Sequence, residues 1–559
     1  MVPVELRVVA QRRTNGGSLF PIPWKGKEFD AGENQRRLLR CTLRHEQRSS
    51  TLLCSTPITE SSGVIRQVLR ISPDSSSAFK ANKAIQIRNP EKKGAKLMKT
   101  SKTLKTQLKY CRPVRLTIFT LLLIVSSLTA ASAQICVPNP AQDDPVTEWN
   151  CRAITRVLNA SVFSPPAPPM QIRFMSIVHV SVHDAVNGLT GEYKTYLSPE
   201  PAPANASVDG AAIGAAYQAL LRRFPAQAAV LEQEFFASLS ARQIPTDDPG
   251  VAYGRNAANV IFNLRAADGA PPTPCSFQAP PNPGPIGIWV LALNDTVSPP
   301  VYPPAALPCF GNVVPWTLRN SSQFRVDAPP ALDSEAYARD YNEVMMYGSV
   351  NSPVRSAEQT AIAGFWNGSP TDIWTQVLRQ VSASRDLDLS ARSRAFALVY
   401  MTATDASIAI WDSKYYYRAW RPTTSVARSL EDGNPDTNPA PFFWQRSLIP
   451  QWQHQHPEYP SGQVGSSAAM ASALTLLFSN DPGLVLMPTI ADCQVNGCVP
   501  VTREFGTFSQ AIDEVSSARV WSGIHFRYAS DAAARLGGQV ARFTATHVLE
   551  RCKGKGTCS

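Results

Sequence analysis

Trp411-Asp412-Ser413-Lys414-Tyr415-Tyr416-Tyr417-Arg418-Ala419-Trp420-Arg421-Pro422 closes an Ala-rich run whose apolar residues recur at helical spacing from residue 389 to residue 412. Lys414 is the only lysine between residues 195 and 552, in a chain that otherwise uses Arg for surface charge. On a helix, positions 414 and 421 leave the same face about two turns apart, so two long cations can converge on one anion. Pro422 biases Arg421 away from helical geometry and so places it at the helix end. Three Tyr and two Trp make this face half-buried rather than merely solvated.

Outward from this stretch, Ala-rich segments with 3.6-type periodicity appear near 170–187, 207–223, 225–241, 249–267, 334–347, 356–366, 463–479, 506–522 and 530–550. Ser334 before Glu335 and Ser356 before Glu358 are start signals. The 47 prolines concentrate in connections, notably 164–169, 271–285 and 299–308. Period-2 runs are few, and neither an internal repeat nor a Gly-rich phosphate loop is seen. The expected fold class is all-α, with 268–330 an ordered coil pinned by Cys275 and Cys309.

Composition limits the function classes. The chain has 559 residues, 17% charged and 44% hydrophobic, which is too apolar for a disordered protein. Mean hydropathy is −0.15, and one apolar run near Leu116 is the only long one, which excludes a polytopic membrane protein. The formal net charge of +11 is unevenly divided: residues 1–133 hold 24 Lys+Arg against 8 Asp+Glu, and the remaining 426 hold 30 against 35. The body is mildly acidic, so a nucleic-acid partner is not expected.

Lys99, Lys102, Lys105, Lys109, Arg112 and Arg115 precede the apolar stretch Leu116–Val125, and Ala131-Ser132-Ala133 offers a cleavage site. Residues 98–133 thus read as a secretory signal beginning at Met98, and 1–97 as a disordered leader or mis-annotated extension. A transit peptide to a plastid and an uncleaved membrane anchor are the alternatives. Eight Cys remain after residue 133, spaced as neighbours that suggest Cys136–Cys151, Cys275–Cys309, Cys493–Cys498 and Cys552–Cys558. Sequons at Asn159, Asn205, Asn294 and Asn320 fit the same secreted glycoprotein.

Two further segments carry chemistry. In His456-Pro457-Glu458-Tyr459-Pro460-Ser461-Gly462-Gln463, a Pro-Ser-Gly start puts a hydroxyl and free backbone N–H groups at the positive end of a helix, a ready anion site. Its bland reading is an ordinary Ser cap. In Arg519-Val520-Trp521-Ser522-Gly523-Ile524-His525, one continuous helix would hold Arg519 and His525 about 9 Å apart and out of phase. Gly523 can break that helix and swing His525 back towards Arg519.

In this order the three segments resemble the signature of the vanadium-dependent haloperoxidase and type-2 phosphatidic-acid phosphatase superfamily: Lys-x6-Arg-Pro, Pro-Ser-Gly-His, Arg-x5-His. Met175–Asn187, Arg265–Gly269 and Glu358–Trp366 extend the likeness over roughly 150–550, on the side of the soluble haloperoxidases. The resemblance implies two packed helical bundles with long Pro-rich loops, here an N-terminal region 134–330 and a C-terminal bundle 331–559 bearing the site. It implies that Lys414, Arg421 and Arg519 neutralise a bound vanadate or phosphate, and that Ser461 and the Gly462 N–H donate to it. His525 would bond vanadium in a peroxidase, or become phosphorylated in a phosphatase. The implied reaction is oxidation of halide by hydrogen peroxide at a histidine-bound vanadate, on small-molecule substrates. A soluble acid phosphatase with a phosphohistidine intermediate is the alternative.

Gln463 departs from that pattern, standing where the family has its acid/base His. Gln hydrogen-bonds but does not titrate, and losing a general acid/base typically costs about 10²–10⁴-fold. A non-catalytic oxyanion binder is therefore a third reading. His454 and His456 are candidate substitutes, His456 with a structural role as the simpler view. Ala529 stands where phosphatase relatives often carry an Asp that orients the imidazole, and Asp531 is out of register. Asp405 is a candidate partner for an active-site Arg. His179-x3-His183-Asp184 resembles a zinc pair, but without an intervening Glu or a third ligand it reads as structural. Cys493-x4-Cys498 lacks a second pair at finger spacing.

Overall fold

The computed structural model describes residues 136–159, 167–197, 201–271, 275–479 and 502–554, together with the backbone of a few short strands outside them. The expected signal segment, Cys493, Cys498 and Cys558 lie outside the described residues. The chain forms two units, Met1–Ser127 and Leu128–Ser559. In the first, β1 (Leu6–Val8), β4 (Leu39–Glu46), β5 (Ser49–Ser55) and β6 (Arg66–Ile71) pair in that order, and β2 (Gln11–Arg13) pairs with β3 (Leu19–Pro21).

The second unit is helical, as expected. Its helices are α1 (Pro145–Asn159), α2 (Pro168–Thr190), α3 (Val208–Arg223), α4 (Ala228–Ala241), α5 (Pro249–Arg265), α6 (Glu335–Tyr347), α7 (Ala357–Phe365), α8 (Pro370–Ala383), α9 (Leu389–Tyr417), α10 (Pro422–Ala427), α11 (Gly462–Phe478), α12 (Phe508–Trp521) and α13 (Arg527–His547). One antiparallel ribbon, β7 (Leu484–Leu486) with β8 (Arg503–Phe505), is added. Both start signals act as caps. Ser334 accepts from the Tyr337 N–H, and Ser356 forms a reciprocal capping box with Gln359.

Three helices were not among the expected segments: α1, α8 and the short α10. In α1, Glu148, Asn150, Arg152 and Arg156 are buried beside Trp149 and Ile154, so burial extends beyond the apolar face onto polar residues. The reason is a buried ion network. Arg152 and Arg242 both meet Glu148 at 2.8 Å, and Arg156 meets Glu234.

Helix α9 is the axis of the unit, packing on α2, α11 and α13, while α3 lies against α5. The largest apolar cluster runs from Val146 to Ala533, so the core is continuous across residue 330. Where α11 crosses α13 the backbones nearly touch. A Cβ at Gly537 would fall 2.6 Å from the Gly465 carbonyl oxygen, so only glycine fits there. That crossing fixes the helix whose first turn carries Ser461 and Gly462.

The disulfides Cys136–Cys151 and Cys275–Cys309 form as expected, and Cys552 is also disulfide-bonded. Asn159, Asn205 and Asn320 are exposed, whereas Asn294 is buried with its Oδ1 accepting from Thr296. Among the described residues, no helix is long and apolar enough to cross a membrane.

Candidate active site

The three segments meet, by a route that differs from the helical spacing in one respect. Helix α9 stops at Tyr417, and Arg418 turns left-handed (φ 51°). Lys414 and Arg421 therefore do not share a helix face. Arg421 is extended (φ −87°, ψ 154°) ahead of Pro422, as a residue before proline should be. The two cations converge because both grip one loop. The Lys414 Nζ donates to the Pro457 and Glu458 carbonyls at 2.8 and 2.9 Å, and Arg421 donates to the His456 carbonyl at 3.0 Å.

Gly523 does what the sequence predicts. Helix α12 ends at Trp521, Gly523 takes φ 74°, and the His525 N–H folds back onto the Arg519 carbonyl at 3.3 Å. The Arg421 Nη1 then donates to the Ile524 carbonyl at 2.8 Å and lies 3.4 Å from the His525 Nε2. Arg519 donates to the Trp366 carbonyl at 2.9 Å and stands 3.4 Å from the His454 Nε2. A Cβ on Gly462 would touch the Trp411 ring at 3.3 Å and the Lys414 side chain at 3.8 Å, so the start of α11 closes over Lys414. Ser461 is not an ordinary cap. Its side chain makes no cap hydrogen bond, and its buried Oγ has no partner.

Glu458 was quoted in the sequence motif but given no role there. Its Oε1 lies 2.9 Å from the His525 Nδ1 and accepts the Phe526 N–H at 3.0 Å. With the Phe526 N–H already donating to Oε1, the pairing closes when Nδ1 carries the proton and donates to the same oxygen, and in that tautomer the Nε2 lone pair faces Arg421. This is the orienting carboxylate that position 529 lacks; it arrives from the loop before Ser461 rather than from the turn after His525. An acidic residue three positions before the Ser was its only sequence signal.

Electrostatics follow from burial. Lys414, Arg421, Arg519 and Glu458 are all at most 3% exposed, three basic side chains against one carboxyl group. Desolvation, reinforced by Arg421, pushes Lys414 well below its usual range. Desolvation lowers Arg421 to about 10 and Arg519 to about 9. Burial lifts Glu458 to about 8, opposed by Lys414 and Arg421. Burial first and then Arg421, Lys414 and Arg519 hold His525 far down, so its imidazole is neutral. Such a set is short of negative charge. A tetrahedral oxyanion would supply that charge and give the partnerless Ser461 Oγ and buried Arg519 Nε an acceptor.

One further expectation is corrected. Asp405 does not serve an active-site Arg. Its carboxylate accepts the Trp316 and Thr317 N–H groups and the Thr317 hydroxyl, each at 2.7 Å, stapling the 316–318 loop to α9. Gln463 turns its amide to the Gly368 carbonyl at 3.1 Å, so it also braces the loop that Arg519 holds through Trp366. His179 and His183 are structural, as read: His179 stacks on Tyr400 and bonds Asn150, and His183 meets the Lys194 carbonyl. Asp184 accepts the Tyr196 and Leu197 N–H groups.

Residues 394–554 match the family model described as the vanadium chloroperoxidase second helical-bundle domain. The vanadium chloroperoxidase of Curvularia inaequalis is 23% identical over 505 residues, covering 71% of this chain and 82% of that protein. Among solved structures, a bacterial vanadium-dependent iodoperoxidase superposes with a TM-score of 0.59 at 22% identity, covering 72% of this chain and 97% of that one. A bacterial vanadium-dependent chloroperoxidase gives 0.56 at 16% identity, covering 76% and 96%. The family model and the curated relative both point to the vanadium haloperoxidases, on the side that the three segments resemble, and the solved structures share their fold.

Proposed function

We propose that this chain is a vanadium-dependent haloperoxidase-like enzyme that oxidises halide with hydrogen peroxide. The observation behind the reading is the buried set of Lys414, Arg421 and Arg519 against a single carboxylate, which calls for a bound oxyanion. Lys414, Arg421, Arg519, Ser461 and the Gly462 N–H would hold vanadate, and the His525 Nε2 would bond the metal. When bound, vanadate supplies Lewis-acid activation of peroxide without a change in its own oxidation state. The chain's part is to bind and orient. Its cations neutralise the oxyanion, Glu458 keeps the proton on the His525 Nδ1, and the enclosed site favours fixed dipoles over water.

The Gln463 amide favours a second reading, a non-catalytic oxyanion binder, because it donates to Gly368 where the family places a titratable His. A phosphatase at this site would need a proton donor for its leaving group, which Gln463 cannot be. The two disulfides support the proposal that the protein is secreted. Bromide-dependent oxidation by peroxide, measured on vanadate-loaded protein beside Gln463→His and His525→Ala, tests the reading. Activity in wild type and Gln463→His that vanishes in His525→Ala is expected. Activity in Gln463→His alone would establish the binder.

A further inference from the structure

His454 enters the site from the turn Gln451–Gln453, with its Nε2 3.4 Å from the Arg519 Nη2 and its ring 6.2 Å from that of His456. Its Nδ1 is buried with no partner in hydrogen-bond geometry, although the Pro450 carbonyl beside it favours a proton on the ring. The residue is half-buried, not sealed. A cavity of about 770 Å³ is lined by Thr423 and Thr424, just after Arg421, and by Pro450, Gln451 and Trp452, just before His454. The partial exposure of His454 itself gives protons access to this imidazole. His456 differs: its Nδ1 is committed to the Arg421 Nη2 at 3.0 Å and its ring lies against Trp411.

We propose that His454 is the titratable imidazole that serves this site in place of the one Gln463 cannot supply, taking up a proton when the oxyanion binds. The inference rests on the oxyanion-binding reading above. The groups facing His454 are Arg519 from α12, Arg421 from the segment after α9, Lys414 from α9 and His456 from its own loop, while Glu458 is engaged with His525. Burial, then Arg519, Arg421 and Lys414, hold the ring neutral in the ligand-free protein. A bound dianion offsets most of the charge of those same cations, which removes the repulsion that holds the ring neutral and lets imidazolium form. A hydrogen bond from Arg519 to the Nε2 lone pair is then exchanged for a charge-assisted one from imidazolium to the oxyanion. The proton comes from solvent and returns to it when the oxyanion leaves.

The test uses the full chain and tungstate, a tetrahedral dianion with no proton of its own near neutral pH. Calorimetric titration in two buffers of different ionisation enthalpy counts the protons exchanged. Wild type should take up about one proton, with tungstate affinity falling towards tenfold per pH unit as pH rises. His454→Gln and His454→Asn should bind tungstate with that uptake abolished, and Gln463→His should retain it. Binding without proton uptake in wild type would overturn the assignment, as would unchanged uptake in either His454 variant or uptake lost only in His456→Gln. A wild-type chain that does not bind tungstate would refute the oxyanion reading itself, and this inference with it.

Discussion

Removing the Glu458 carboxylate should damage oxyanion binding through His525 rather than through direct contact. The Glu458 Oε1 satisfies two buried donors, the His525 Nδ1–H at 2.9 Å and the Phe526 N–H at 3.0 Å. Glu458→Ala leaves both without partners, and each unsatisfied buried donor costs about 1–3 kcal/mol, so the fold should lose about 2–6 kcal/mol. The imidazole proton is also released from Nδ1, and whenever it sits on Nε2 the lone pair that would meet vanadium is blocked. Loss of a partner that orients a metal-binding His typically lowers affinity about 10–100-fold. Glu458→Gln keeps an acceptor oxygen of the same reach and removes only the titratable group, so it should stay within a few-fold of wild type. Chemical denaturation gives the stability term, and titration with orthovanadate gives the affinity. Wild-type vanadate affinity in a folded Glu458→Ala protein would refute the argument, because it would mean that the hydrogen bond to Nδ1 does not govern the lone pair.

Stability should also report the burial of Glu458 through pH. Its carboxyl is raised from 4.5 to about 8, so between those values the folded chain holds a proton that the unfolded chain has released. That contribution is present in full below pH 4.5 and is lost as pH rises through 8, a fall of a few kcal/mol at most (about 1.4 per unit) that Glu458→Gln should abolish in denaturation midpoints. Gly523→Ala should destabilise by at least about 2 kcal/mol and weaken vanadate binding, since it puts a side chain at positive φ. Its Cβ would also fall 2.3 Å from the Gly348 carbonyl oxygen; a neutral result in melting and titration would show that the turn before His525 is pliable. Asp405→Ala should cost about 2–5 kcal/mol by orphaning the Trp316 and Thr317 N–H groups. A folded Asp405→Ala chain should bind vanadate normally, and a large affinity loss would return Asp405 to the site.

What the sequence makes legible here is what composition makes rare or chain geometry makes local. One lysine in a long Arg-using stretch, a Pro-Ser-Gly helix start and a glycine between Arg519 and His525 each announce a constraint within a dozen residues. Glu458, in His-Pro-Glu-Tyr-Pro, looks like any polar loop residue; only the fold shows that it is fully buried against a side chain 67 positions away. Asp405 is the converse. A buried Asp on the helix leading to Lys414 invites a catalytic reading, but its partners are loop N–H groups 87–89 positions away, which helical periodicity cannot reveal. In helix α1 it is the burial of the charges that only the fold shows, since their partners lie on α4 and beside it.

The arrangement also separates two consequences of Gln463 that the motif alone runs together. The cations are held by backbone carbonyls of residues 456–458, 366 and 524, and none of these hydrogen bonds involves the side chain at 463. The residue after Gly462 therefore makes no direct contact that holds the cations. What a histidine there would add is a titratable group, and what Gln463 adds instead is a brace to Gly368 on the loop that also anchors Arg519. On the proposed reading, oxyanion affinity and proton transfer would belong to different parts of the structure: the cations and Ser461 would govern the first, and the second would fall to whichever imidazole the oxyanion can protonate. His525 has its Nδ1–H fixed by Glu458, and the His456 Nδ1 is taken by Arg421, which leaves His454 as the ring whose hydrogen bonding is still open to exchange.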